Sequence, residues 1–211
     1  PERAWRTASQ ALELALQINH GTSICYTLAL AGVVIARYNG DGAAAQALQA
    51  LLLQHAQRHS AQLFQTWAAH YADGPGQGDL NGLGLVKDIM ITLGVATVDE
   101  PAVERVRSGA AGWCAPELLR VRAQALLHQD TPDAAETLLL EALGLAQQQG
   151  ALAWEMRTAE SLARLWQKQG RRQAARELLG GVYARFTEGF ASQDLIRARS
   201  LLDELQDQRP A

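Results

Sequence analysis

His55 and His59 stand four residues apart, a spacing that sets two imidazoles on one face of a helix, where they could hold a metal ion. Ala56, Gln57 and Arg58 lie between them, so the glutamate of a zinc-protease helix is absent, and no third ligand is evident. His20, His70 and His128 fall near helix ends without recognisable partners. The glycine-rich stretch 74–84 has neither the Gly-Lys-Ser/Thr of a phosphate loop nor a preceding strand with Gly-x-Gly-x-x-Gly, and reads as an inter-helix loop with a packing role. No nucleophile-elbow sequence positions a serine. The acidic pairs Asp99-Glu100 and Asp203-Glu204 point in different directions on a helix and read as solvated faces. The expectation is a chain with no catalytic residue, no cofactor and no metal, hence not an enzyme.

Recognition chemistry is better represented. Arg120, Arg122, Arg171, Arg172, Arg176, Arg197 and Arg199 recur through the C-terminal half. They could face an acidic peptide or an anionic ligand, because guanidinium pairs bidentately with carboxylate and phosphate. Alternatively they are helix-surface arginines paired with Glu117, Glu136 or Glu177. Of the five tryptophans, Trp166 occupies a repeat core position, whereas Trp67 and Trp154 are the two whose exposure would make them ligand contacts. The candidate partner or ligand surface is therefore Trp67, Trp154, Arg120, Arg122, Arg171 and Arg172.

These residues ride on a helical hairpin written twice. Shifting the chain by 40 residues places Leu119 on Ala159, Ala123 on Ala163, Leu126 on Trp166, Ala135 on Ala175, Leu138 and Leu139 on Leu178 and Leu179, Ala142 on Val182, and Ala146 on Phe186. A self-similar helix pair of this length is the mark of an α-solenoid, whose units bury their apolar faces against neighbours. One stripe recurs on three return helices: Ala45, Leu48, Leu52, Ala56; Ala135, Leu138, Ala142, Ala146; Ala175, Leu178, Val182, Phe186.

The expected fold class is all-α: a right-handed superhelix of about four tetratricopeptide-like hairpins plus a capping helix, forming one domain over 1–211. Residues 1–20 read as the second helix of a hairpin whose first helix is missing, implying a fragment of something longer. Hairpins are expected over 22–59, 61–94, 116–149 and 151–187, with an irregular connection at 95–115 and a capping helix at 192–207. Gly82 and Gly84 disfavour the helix they would sit in, which a close neighbour or a bend would explain. In 95–115, Glu100-Pro101 can open a short helix to Arg107 that ends near Ser108-Gly109; the broken frame could host a homodimer contact.

Bulk properties exclude several function classes. Apolar residues make up 48% and charged residues 19%, which suits packed helices rather than a disordered chain. The formal charge of −3 and pI near 6.0 give no reason to expect nucleic acid. Cys25 and Cys114 stand far apart and suggest neither a metal pair nor a disulfide. No run approaches the roughly 18 to 20 apolar residues a membrane span requires, and Pro1 to Arg6 lacks the apolar core of a signal peptide, so a cytoplasmic protein is expected.

The run Trp154-Glu-Met-Arg-Thr-Ala-Glu-Ser-Leu-Ala-Arg-Leu-Trp-Gln-Lys-Gln-Gly-Arg-Arg-Gln-Ala-Ala-Arg-Glu-Leu-Leu179, followed by Val182 to Phe190 and Asp194-Leu195, resembles a known family. So does the segment from Trp113 to Leu127. The resemblance is to the C-terminal tetratricopeptide-like (MalT-like) region of large bacterial multidomain regulators. In these, a STAND-type ATPase is joined to a winged-helix DNA-binding domain or an adenylate or guanylate cyclase domain. It is carried by about Trp113 to Leu205 and by pattern alone before Gly94. It implies a non-catalytic interaction or sensing arm, whose partner is a protein, including the ATPase domain of its own full-length chain. The other implied reading is a sensor binding a small-molecule effector in the concave groove near Trp67 and the 74–84 loop.

Overall fold

The computed structural model describes residues 2–73 and 84–206, which form eleven helices and no strand. Their contacts group into two compact units, Pro1–Gly82 with Leu93–Thr97, and Leu83–Thr92 with Val98–Ala211.

The first unit holds α1 (Glu2–Ile18), α2 (Gly21–Tyr38), α3 (Gly42–Arg58) and α4 (Gln62–Asp73). The first three helices each end where one residue turns left-handed. Gly40 has φ +75° and Ser60 φ +53°, after which the Asp41 amide reaches back to the Ala36 carbonyl and the Ala61 amide to Ala56. Those six-to-one bonds satisfy carbonyls that the helix end leaves orphaned. Asp41 then caps α3, its carboxylate accepting from the Ala44 amide at 2.9 Å, as its place in the turn leads one to expect.

Within α2, Leu28–Gly32 forms a π turn. The Ala29 carbonyl accepts from the Tyr71 hydroxyl at 2.7 Å, which ties α4 to that turn. Ile24, Leu28, Val33, Leu52 and Tyr71 are almost wholly buried. One correction concerns membrane-spanning length. Although no continuous run is apolar, α2 averages a hydropathy of 1.3 over 18 residues, enough by length and composition to cross a membrane. Its buried residues, among them Ile24, Leu28, Val33 and Ala36, face α1, α3 and α4, while Tyr26 and Leu30 are exposed.

The second unit holds α5 (Gly84–Thr92), α6 (Glu100–Arg107), α7 (Ala115–His128), α8 (Pro132–Gln148), α9 (Leu152–Lys168), α10 (Arg172–Tyr183) and α11 (Gln193–Gln206). The second helix of the hairpin expected over 61–94 is described only from Gly84; the glycine-rich residues 74–83, Gly82 among them, lie outside the described residues. Gly84 does have a close neighbour: a β-carbon there would stand 3.2 Å from Cδ of Arg105, whose guanidinium grips the buried Asp88 carboxylate and so clips α6 to α5. Asp99 caps α6 through the Ala102 amide at 3.1 Å, and Gly109 turns left-handed just after its end.

Hairpins α7–α8 and α9–α10 carry the 40-residue repeat, joined by the short turns around Asp130, Gly150 and Gly170, all at positive φ. Short connections between contacting helices make them antiparallel. First helix meets first helix, α7 against α9, and α9 in turn meets the terminal α11. Ala123, Ala135, Leu139, Leu162 and Leu165 form one buried cluster, and Ala159, Ala163, Ala175, Leu179, Val182 and the apolar face of α11 form another. The buried stripe differs by one position from the sequence reading: Leu139 and Leu179 have no exposed surface, while Leu138 and Leu178 are half-buried at its edge. The spacing i, i+4, i+7 puts the larger residue on the axis of the stripe, where i+3 puts it on the shoulder.

Candidate functional site

On α9, Arg157, Ser161, Arg164 and Lys168 fall at i, i+4, i+7 and i+11, which places them along one face of the helix. On α7, Arg120, Gln124 and Leu127 follow the same rhythm. Because α7 and α11 both contact α9, these faces and Arg197 of α11 enclose a trough of about 550 Å³. Arg157 and Lys168 are separated by eleven residues, so the trough follows α9 for about 16 Å at 1.5 Å per residue.

A chain of ion pairs supports the trough. Glu117, with no exposed side chain, accepts two hydrogen bonds of 2.7 Å from Nε and Nη2 of Arg120 and an ion pair at 3.0 Å from Arg157. Arg157 also approaches Asp194 at 3.8 Å; Arg197 bonds Asp194 and lies 3.5 Å from Glu160; Arg164 bonds Glu160 at 3.0 Å. Burial works against the Arg120 charge, but the adjoining Glu117 carboxylate more than offsets it and raises the pKa above the ordinary arginine value. Five cations, Arg120, Arg157, Arg164, Lys168 and Arg197, line the trough with one carboxylate, Glu160. Lys168 is exposed and makes no ion pair with the described residues.

Of the six residues expected to form the surface, only Arg120 lines this trough. Trp67 is not exposed: it is buried in the first unit, edge-on to Phe64 and Tyr26. Trp154 is likewise buried, beneath the half-exposed Trp113, whose ring stacks on it at 5.9 Å with planes 13° apart, and within reach of the Arg157 guanidinium at 5.5 Å. Arg122 bonds Glu100 at 3.0 Å. Arg171 bonds Glu136 at 2.6 Å and covers the ring of Trp166, whose Nε1 donates to the same carboxylate oxygen at 2.7 Å. Arg172 donates to the Glu204 carbonyl at 2.6 Å. Pairing with Glu117 and Glu136 is thus real for Arg120 and Arg171, whereas Glu177 accepts from Gln173.

Arg157, Arg164 and Lys168 were missed as site residues, although their spacing on α9 was available. A stronger signal lay in the repeat itself: the 40-residue shift lays Glu117 on Arg157 and Arg120 on Glu160, opposite charges at equivalent positions of adjacent first helices. His55 and His59 stack with their rings parallel and 6.1 Å apart, and no group of three metal-binding side chains occurs among the described residues. Burial, then His59 and Arg58, lower the His55 pKa. Both cysteines are buried and free; burial raises Cys25, and burial with Asp88 and Glu117 nearby pushes Cys114 up to about 12. Comparison with known proteins finds no matching family, no matching curated protein and no matching solved structure.

Proposed function

We propose that this chain is a non-catalytic regulatory protein-interaction module, built of tetratricopeptide-like hairpins that stack as a right-handed solenoid. The observation that carries this reading is the trough on α7, α9 and α11. Its charged side chains, Lys168 apart, are already engaged in ion pairs, which is a surface for recognition rather than a site poised for bond making. Contacts of first helix with first helix support the stacking. The place of the module, as the C-terminal arm of a bacterial STAND-type regulator whose partner is its own ATPase domain or another protein, rests on the resemblance of Trp113 to Leu205.

Binding in the trough would bias the regulator only to the extent that the partner prefers one conformation of it. Affinity capture from the host lysate, with wild-type chain and Lys168→Glu chain side by side, tests the reading. A protein retained by the first and lost by the second is expected. Retention of no protein, or of metabolites alone, overturns it.

A further inference from the structure

Resting on that reading, we infer that the α7–α9–α11 trough holds an extended acidic peptide segment of about five residues, in which carboxylates alternate with apolar side chains. Length sets the size of the occupant: about 16 Å along α9 matches five residues of extended chain at about 3.3 Å each. Charge sets its sign: the five cations of the trough meet three carboxylates, Glu160 in its lining and Glu117 and Asp194 behind it, which leaves two positive charges in excess in a chain whose formal charge is −3.

The cations are strung along the length instead of converging on one point, so one small anion would engage only part of them. Donor capacity remains after the internal pairs are made. Among the described residues, Arg120 commits Nε and Nη2 to Glu117 and its Nη1 reaches the Ser161 hydroxyl at 3.5 Å, while the exposed Lys168 ammonium finds no acceptor. The buried Glu117 fixes Arg120 before any ligand arrives, which lowers the ordering cost of binding. Leu127 and Leu165 line the trough with the Lys168 end of α9, offering apolar contact between the charged positions. The one ring in its lining is the His128 imidazole; no Trp, Tyr or Phe lines it, so it lacks the run of aromatic platforms on which successive bases of unpaired nucleic acid stack.

The test is fluorescence anisotropy with a labelled six-residue peptide of alternating glutamate and leucine, blocked at both ends, added to the full 211-residue chain. Saturable binding is expected, weakened roughly tenfold by Lys168→Glu and comparably by Arg164→Gln. It should also weaken between about 0.1 and 0.5 M salt, and be absent for the glutamine-leucine counterpart. Lys168 is exposed and has no ion pair among the described residues, so the variant keeps its fold, and helical circular dichroism verifies that. Equal binding of the glutamine peptide, indifference to both substitutions, or tighter binding of inorganic phosphate than of the acidic peptide overturns the inference. If lysate capture depends on Lys168 while the acidic peptide is ignored, the interaction module stands and its acidic ligand falls. If capture fails as well, the module reading falls with it.

Discussion

Glu117 has no contact with solvent, and the cost of burying its charge is offset by the two guanidinium groups that hold it. Removing one partner of such a cluster leaves the others charged in a medium that cannot solvate them. Glu117→Ala is therefore expected to cost about 3 kcal/mol or more in urea unfolding, a loss far above that of an exposed pair such as Arg199–Asp203. An unchanged unfolding midpoint would show that the cluster contributes nothing. Glu136 makes a different, pH-dependent contribution. Partial burial opposes its charge, yet hydrogen bonds from Arg171, Trp166 and Gln169 bring its pKa below the ordinary value. A folded pKa below the unfolded one, about 4.3, means stability that is present above that pH and lost as the pH falls through the folded value. The melting temperatures of wild type and Glu136→Gln should differ most near pH 7 and converge towards about pH 3; a constant gap would contradict the assignment. At this scale the sequence was half legible. Arginine pairing with Glu117 and Glu136 could be read from composition and repeat position, but the burial of Trp67 and Trp154 could not, since an aromatic side chain serves a core and a binding face equally well.

Helix length in this chain is governed by its turns. Asn19, Gly40 and Ser60 in the first unit, and Asp130, Gly150, Gly170 and Gly189 in the second, all have positive φ and recur at intervals close to 20 residues. A left-handed backbone strains any residue with a β-carbon, by about 1 kcal/mol or more, and least for Asn and Asp. Ser60→Gly should accordingly stabilise the chain by about 1 kcal/mol, Asp130→Gly by less, and Gly170→Ala should cost about as much as Ser60→Gly gains. No atom would lie within 4 Å of a β-carbon at Gly170, so that cost is purely one of backbone conformation. Thermal melting of the three variants checks the ordering, and a destabilised Ser60→Gly would refute it. Helix boundaries were legible because glycine, Asn and Asp mark these turns in the sequence. The π turn at Leu28–Gly32 was not, since it depends on Tyr71 of another helix supplying a hydroxyl to the Ala29 carbonyl, a tertiary effect without local signature.

For the molecule as a whole, the two contact units imply that damage to one need not unfold the other. Leu179 has no exposed surface and belongs to the cluster uniting α9, α10 and α11; Trp166 and Leu178 pack on that cluster and on the one shared by α7, α8 and α9. A carboxylate at position 179 would be buried without a partner, at a cost of several kcal/mol. In an array where each hairpin is stabilised by its neighbours, that loss spreads to adjoining elements through the shared side chains and fades where sharing ends. Leu179→Asp is therefore expected to raise amide exchange throughout α9, α10 and α11 and, through Trp166 and Leu178, in α7 and α8. The amides of α2, α3 and α4, whose core is made by Leu28, Val33, Leu52 and Tyr71, should keep their protection. Leu178→Asp, at the half-buried shoulder, should produce the same pattern at smaller amplitude. Hydrogen exchange read by mass spectrometry resolves these segments. Uniform loss across both units would show one cooperative body in place of two, and an unaltered α10 would show that the residue at 179 is not the one that closes the hairpin.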